Sequence, residues 1–266
     1  MHTERKRKEG ADTPRILVVE DNMVNRKLAV ALVQKWGFSP LVAEDGQEAL
    51  TILEKEHVDL ILMDVQMPVM DGLEATRAIR AREAERGGHL PIVALTAHAY
   101  MSDRDKCFDA GMDDFLTKPV DHRALHETIL SLLRTSSEEI QSVTPGAAEA
   151  CRPQFDRQEA LGRVDGDQEL LEEIAALFLD SSNTWLEDLR RGIVDSDAVV
   201  IEKSAHTLKG SAATFGARSL VESALQVEKI GASGELAGVD SAARELESLV
   251  GTLTGELRSF LEERLS

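Results

Sequence analysis

The stretch LILMDVQMP, residues 60–68, decides the fold of the first half of the chain. Its first four residues are continuously apolar, which is typical of a strand buried on both faces of a parallel sheet. A carboxylate, Asp64, follows directly. Because ligands bind beyond the carboxyl ends of the strands in an open parallel sheet, Asp64 is predicted to lie at a binding edge.

Similar runs occur on both sides of this stretch. Continuous apolar segments at 16–19 and 92–95, and shorter strand candidates at 40–42 and 114–116, alternate with segments of helical spacing. Five strands alternating with five helices predict a doubly wound α/β domain with a five-stranded parallel sheet. We expect this domain to span residues 14–134.

The rest of the chain has a different pattern. Residues 135–153 lose periodicity and are rich in Ser, Thr, Glu, Pro, Gly and Ala, which predicts a flexible linker. Residues 154–266 show apolar stripes at helical spacing and no strand runs. Breaks near 191–192, 215–216 and 231–234 separate about four helices, so an all-α four-helix bundle is expected.

Composition excludes several classes of function. A formal net charge of -18 argues against nucleic acid as a partner, and the basic run at 5–8 is interpreted as part of a polar tail over residues 1–13. No apolar stretch approaches the ~20 residues that span a bilayer, so we expect a cytoplasmic protein. Cys107 and Cys151 are too few for a disulfide framework or a zinc site. The oligomeric state stays open.

Polar side chains follow the predicted strands. Glu20 and Asp21 come after the first, Asp64 after the third, Thr96 after the fourth and Lys118 after the fifth. Three carboxylates brought together would repel one another, so the arrangement calls for a cation. Mg²⁺ is the natural candidate because it takes oxygen ligands and accepts phosphate oxygens as further ligands. The lysine and hydroxyl would then bind a phosphoryl group, which predicts a phosphoryl-transfer site.

In this order and spacing, the segment resembles the response-regulator receiver family. The matching elements are Glu20-Asp21-Asn22 with Asn25, residues 43–46, Asp64 within residues 63–68, Met70-Asp71-Gly72, Thr96-Ala97 and Lys118-Pro119. The resemblance implies a flavodoxin-like sheet with Asp64 as the phosphoacceptor. It also implies that Mg²⁺ is held by Glu20, Asp21, Asp64 and the backbone carbonyl of Gln66.

The resemblance extends to the residues around the phosphoryl group. It implies that Lys118 binds this group and that Thr96 turns towards it after transfer. Phe115 matches the family's aromatic switch position, although a bulky apolar residue in a strand could equally belong to the core. His98 lies near the predicted site, but a lone histidine in a loop is interpreted as incidental.

A second candidate site lies in the predicted bundle, at residues 205–213. Helical spacing, beginning near Asp195, puts Lys209 and Gly210 on the face of His206 and points Leu208 towards the core. Glycine inside a helix costs about 1 kcal/mol relative to alanine, so Gly210 is interpreted as leaving room for a phosphate and a docking partner. Lys209 supplies a nearby positive charge, and an exposed imidazole nitrogen is a competent nucleophile.

This segment resembles the histidine-containing phosphotransfer (HPt) domain. The family motif is matched by His206, Lys209, Gly210 and Ser211, followed by residues 215–217. The resemblance implies a four-helix bundle that carries a phosphoryl group on His206.

Together the two resemblances imply a phosphorelay protein of a two-component system. A histidine kinase would phosphorylate Asp64, and His206 would exchange phosphate with a receiver aspartate, including that of a downstream response regulator. No ATP-binding kinase segment is recognised, so we expect no kinase activity. Direct transfer from Asp64 to His206, the direction of flow and the signal stay open.

Two alternatives remain at this level. The two domains could be the C-terminal portion of a hybrid sensor histidine kinase. The receiver could also be a binding module, in which phosphorylation only alters the surface around Phe115 and the last receiver helix.

Overall fold

The computed structural model describes residues 13–96, 101–134 and 155–263. Its first domain contains one parallel sheet of five strands in the order β2-β1-β3-β4-β5. The strands are β1 (Arg15–Val19), β2 (Ser39–Ala43), β3 (Leu60–Asp64), β4 (Ile92–Thr96) and β5 (Asp114–Thr117). Every residue of β3 is buried, because the strand lies at the centre of the sheet.

Five helices alternate with these strands, which confirms the doubly wound α/β prediction. They are α1 (Met23–Lys35), α2 (Gly46–Lys55), α3 (Gly72–Arg86), α4 (Met101–Ala110) and α5 (His122–Arg134). Side chains stabilise several helix starts: Asn22 caps α1, and Asp71 forms a capping box with Glu74 at the start of α3.

Strand register brings the carboxyl ends of four strands to one edge of the sheet. Val19 pairs with Met63, so Glu20 emerges beside Asp64. Asp64 pairs with Leu95, just before Thr96. Gly72 lets α3 begin against this edge, because a Cβ there would lie only 2.1 Å from the carbonyl oxygen of Asp64.

The second domain is helical. One short helix precedes four long ones: α6 (Arg157–Arg163), α7 (Gln168–Asp195), α8 (Ala198–Ala213), α9 (Arg218–Ser233) and α10 (Val239–Glu262). Phe178 and Phe215 are fully buried and meet edge to face in the core, with ring centroids 5.3 Å apart. The prediction of a helical domain with about four substantial helices is confirmed.

The helix break predicted near residues 191–192 lies a few residues further along the chain. Helix α7 continues to Asp195 and ends at Ser196, whose φ is 56°. Gly192 lies there because α8 packs closely: a Cβ would come within 3.0 Å of the Val200 Cγ1 atom. Helix α8 therefore begins at Ala198, with Asp197 as its cap, slightly later than predicted.

The two domains pack against each other. Helix α1 contacts α7 and α8, and one continuous apolar cluster includes Leu28 and Leu32 of α1 together with Phe178 of the bundle. This packing brings the start of α1 next to α8, the helix that carries His206.

Several predictions fall outside the described residues: the linker at 135–153, the basic run at 5–8, and Ala97, His98 and Cys151. Every helix within the described ranges is too short or too polar to span a bilayer.

Candidate functional site

Three carboxylates converge at the carboxyl edge of the sheet. Glu20 and Asp21 follow β1, Asp64 ends β3, and one oxygen of each lies within 4.8 Å of the others. Glu20 and Asp64 are buried, with exposed fractions of 1% and 2%. The strand ends therefore gather these three residues as the sequence indicated.

Lys118 emerges after β5 and reaches into this cluster. Its Nζ lies 2.6 Å from an oxygen of Asp64 and 2.6 Å from an oxygen of Glu20. One lysine charge offsets only one of the three carboxylates when all are ionised.

The electrostatics show the cost of this imbalance. Burial, followed by repulsion from Asp64, raises the pKa of Glu20 from 4.5 to about 8, although Lys118 opposes the change. Burial and Asp64 also raise the pKa of Asp21. Burial alone lowers the pKa of Lys118, but Asp64 and Glu20 more than offset it and hold that pKa above its ordinary value. A cluster of hard oxygen ligands with excess negative charge fits a divalent cation such as Mg²⁺.

Gln66 and Thr96 lie beside this cluster. The backbone N–H of Gln66 donates a hydrogen bond to Asp64 Oδ1 over 3.2 Å. Thr96 is buried at the end of β4, and both residues line the same cleft as Asp21. The role of the Gln66 carbonyl as a metal ligand and the movement of Thr96 stay predictions.

Phe115 lies on β5 and pairs with Ala94 of β4. It is partly buried and packs against the apolar cluster on one face of the sheet. Its ring meets Phe108 edge to face, with centroids 6.1 Å apart, and the Arg104 guanidinium lies 5.1 Å from its centroid. Phe115 thus sits at the margin of the core, and its role as a switch stays a prediction.

His206 is held by a carboxylate that the motif did not reveal. Its Nδ1 lies 2.6 Å from Oε1 of Glu228 on α9. The other Glu228 oxygen accepts a hydrogen bond from Lys209 Nζ. Burial raises the pKa of Glu228, but the hydrogen bonds from His206 and Lys209 bring it below its ordinary value. A carboxylate on Nδ1 fixes the ring and leaves Nε2 as the nitrogen available to a reactant.

Sequence reasoning missed Glu228, although a signal existed. Leu220, Ala224, Val227 and Gly231 define the buried face of α9, and Glu228 falls on it by helical spacing. A carboxylate at a core position needs partners, since buried charges are rarely unpaired. Lys209, also buried, supplies one of them, so its charge is neutralised by Glu228.

A single cleft contains residues from both sites. It encloses about 780 Å³ and is lined by Asp21, Gln66 and Thr96 from the first domain and by Lys203 and His206 from α8. The sequence did not predict that the two sites would face each other.

Asn22 joins the two domains beside this cleft. Its Oδ1 accepts hydrogen bonds from the backbone N–H groups that begin α1. Its Nδ2 donates to the Thr207 carbonyl over 3.0 Å and to the Ser211 hydroxyl over 2.8 Å. One buried side chain therefore caps α1 and holds α8.

Comparison with known families gives two matches. Residues 16–130 match the model of the response regulator receiver domain, and residues 173–263 match that of the Hpt domain.

Similar curated proteins include a sensor histidine kinase and a virulence sensor protein. The chain is 34% identical over 251 residues to the sensor histidine kinase GacS of Pseudomonas protegens, covering 92% of this chain and 27% of that protein. It is 27% identical to the virulence sensor protein BvgS of Bordetella bronchiseptica, covering 94% of this chain and 21% of that protein. The chain thus spans about a quarter of the length of these relatives.

One similar solved structure is the receiver domain of the sensor histidine kinase PA1611 of Pseudomonas aeruginosa, described with magnesium coordinated in its active-site cleft. Its sequence is 40% identical to this chain over the matched residues. The match covers 47% of this chain and 100% of that one, with a TM-score of 0.43.

Proposed function

Because this chain belongs to the two-component phosphorelay family, with a receiver domain followed by an Hpt domain, we propose that it passes a phosphoryl group between Asp64 and His206 within one molecule. The observation that carries the proposal is the shared cleft, in which His206 faces the edge formed by Asp21, Gln66 and Thr96. We assign the receiver to residues 14–134 and the Hpt domain to residues 154–266. The latter boundary includes Phe155 because its ring packs on Phe260, with centroids 5.1 Å apart.

The receiver residues prepare the phosphorylated aspartate. Lys118, already within 2.6 Å of Asp64, neutralises charge on the phosphoryl oxygens, and Thr96 lines the cleft at the same edge. Glu20, Asp21, Asp64 and the Gln66 carbonyl would hold Mg²⁺, which supplies the positive charge that phosphoryl transfer requires. The raised pKa of Glu20 supports this assignment, since burial and the neighbouring Asp64 outweigh the charge that Lys118 supplies.

His206 and the two residues that position it carry out the transfer. The lone pair on His206 Nε2 attacks the phosphorus, the P–N bond forms, and the bond from phosphorus to the Asp64 oxygen breaks with its electron pair returning to the carboxylate. His206 keeps its proton on Nδ1, where Glu228 stabilises the positive charge that develops on the ring. Lys209 keeps Glu228 ionised and in place. The reverse reaction uses the same contacts.

Energy for the cycle comes from outside these two domains. A histidine kinase would donate the phosphoryl group to Asp64, and a downstream response regulator would receive it from His206. The two matched family models are a receiver and an Hpt domain, so we propose a phosphotransfer protein that relies on a separate kinase domain.

A second candidate is favoured by the relatives. GacS matches 92% of this chain with about a quarter of its own length, so the two domains could serve as the relay part of a hybrid sensor histidine kinase. The chemistry proposed for Asp64 and His206 is the same in both cases. The sequence encoded upstream in the genome distinguishes them.

The experiment that tests the proposal labels the receiver and follows the label. The full chain is treated with acetyl phosphate and Mg²⁺, and phosphate stable in alkali but labile in acid is measured on His206. Asp64→Asn should abolish this label. His206→Gln should also lack it, and should keep the phosphoryl group on Asp64 as an acyl phosphate that is labile in alkali. Efficient labelling of Asp64 without phosphohistidine in the wild type would contradict direct transfer.

The same variants address the binding-module alternative. If phosphorylation acts only through the surface around Phe115, His206→Gln should preserve signalling. The relay predicts that signalling is lost.

A further inference from the structure

We propose that the receiver of this chain covers the docking face of its own Hpt domain, so that a second receiver domain reaches His206 only after this receiver has moved away. The inference rests on the proposed role of His206 as a phosphate carrier. It adds that two receivers compete for one face of α8.

The face around His206 is occupied by the start of α1. A Cβ built on Gly210, one turn after His206, would lie 3.0 Å from Asn25 Nδ2 and 3.7 Å from Asn22 Nδ2. Asn22 is itself buried and bonds to Thr207 and Ser211 of α8. The space left by the missing side chain at Gly210 is therefore filled by the chain's own receiver.

Contacts further along α1 extend this interface. Lys27 Nζ lies 2.7 Å from Glu173 Oε2 on α7, and Lys35 Nζ lies 2.9 Å from Asp165 Oδ2. All four side chains keep between 36% and 52% of their surface exposed. Exposed ion pairs contribute little individually, so these two pairs add to the apolar packing of α1 without locking the domains together.

Geometry makes the two docking events mutually exclusive. Transfer requires the reacting atoms to approach within about 3–3.5 Å, so an incoming aspartate must bring its own strand edge against His206. That aspartate lies at the buried edge of a folded domain, and the cleft of about 780 Å³ is far too small to admit a second folded domain. The resident receiver must leave first.

Competition favours the resident receiver because both domains belong to one chain. Covalent linkage gives a local concentration on the order of millimolar, well above that of most separate partners. The closed arrangement thus promotes transfer inside the chain and restrains transfer to an outside receiver.

The test uses two full-length copies of the chain. The donor copy carries His206→Gln and is phosphorylated on Asp64 with acetyl phosphate, which is then removed. The acceptor copy carries Asp64→Asn, so its His206 can be labelled only from the donor. An opened acceptor additionally carries Lys27→Glu and Lys35→Glu, while the donor keeps both lysines and can still dock on Glu173 and Asp165.

A matched acceptor controls for the change in charge. It carries Lys55→Glu and Arg86→Glu, two exposed receiver positions on α2 and α3, away from the interface. Replacing two exposed ion pairs by like-charge contacts should speed labelling of His206 about five- to twentyfold, and the matched control should not change it.

The outcomes separate this inference from the proposed function. Equal labelling rates in the opened and unopened acceptors would overturn the competition, while transfer inside the wild-type chain would still stand. Slower labelling of the opened acceptor would also overturn it. Absence of label on His206 in every acceptor, and in the wild-type chain, would overturn both.

Discussion

Replacing Glu228 by glutamine should separate the structural and chemical roles of the buried carboxylate. The substitution keeps the shape of the side chain but removes the charge that both His206 Nδ1 and Lys209 Nζ contact. We expect the Hpt domain to lose stability and His206 to lose reactivity. The two losses should respond differently to a second substitution.

The structure sets the magnitude of the loss. Glu228 and Lys209 have exposed side-chain fractions of only 6% and 9%, so water does little to replace the lost charge. Loss of hydrogen bonds to a charged group costs about 1.5–3 kcal/mol. Glu228→Gln should therefore lower the free energy of unfolding by about that amount, and Glu228→Ala by about 3–5 kcal/mol, because it leaves Lys209 buried without a partner.

The assay combines denaturant unfolding with phosphotransfer kinetics. Labelling of His206 from phosphorylated Asp64 should slow about ten- to a hundredfold in Glu228→Gln, as when a partner that orients a functional histidine is lost. Adding Lys209→Met to Glu228→Gln removes the unpaired charge of Lys209. The double variant should regain much of the free energy of unfolding but not the rate of phosphotransfer to His206. Glu222→Gln, at an exposed position of the same helix, should change neither.

The pH dependence gives an independent check. The pKa of Glu228 is lower in the folded protein than its ordinary value of 4.5, so its contribution to stability is present above pH 4.5 and is lost as the pH falls through the folded pKa. The difference in free energy of unfolding between wild type and Glu228→Gln should become smaller as the pH falls below 4.5. A gap independent of pH, or a transfer rate restored by Lys209→Met, would refute this reasoning.

Three further predictions concern the carboxylates and the helix contacts. Asp64→Asn should raise the melting temperature of the metal-free protein by relieving repulsion between carboxylates. Mg²⁺ should raise the melting temperature of the wild type more than that of Asp64→Asn, and no effect of Mg²⁺ in calorimetry would contradict the site. Because the pKa of Glu20 is about 8, Mg²⁺ must displace the Glu20 proton at lower pH. The affinity for Mg²⁺ should therefore rise up to about tenfold per pH unit between 6 and 8, and titration calorimetry should detect the released proton. A Mg²⁺ affinity that does not change with pH would contradict this prediction. Gly231→Ala should lower the free energy of unfolding by about 1–3 kcal/mol, since its Cβ would lie 2.6 Å from the Glu202 backbone nitrogen. Gly251→Ala, where a Cβ meets open space, should raise the free energy of unfolding by up to about 1 kcal/mol. Changes of the same sign in the two unfolding curves would refute the packing argument.

Local patterns were enough to predict the receiver fold and its acidic edge. The apolar run at 60–63 is typical of a fully buried strand, and parallel topology then brings Glu20, Asp21 and Asp64 together. Periodicity could not show that α7 passes through Gly192, because the reason for that glycine is the neighbouring helix α8.

The site at His206 was predicted only in part. The motif gave the histidine, but Glu228 lies on another helix and is recognised only as a charge on a buried face. The interface was beyond reach, because Asn22 and Ser211 are 189 residues apart and no local pattern pairs them. Surfaces that meet in space without sharing a periodic pattern require the structure.

The most direct test of transfer between Asp64 and His206 within one molecule is its dependence on concentration. The full chain is phosphorylated rapidly with acetyl phosphate and Mg²⁺, and the rate constant for the appearance of phosphohistidine is measured over a wide range of dilution. Transfer within one chain predicts a first-order rate constant that does not change with dilution. A rate constant that falls in proportion to protein concentration would mean that phosphate passes between molecules, and would contradict the account.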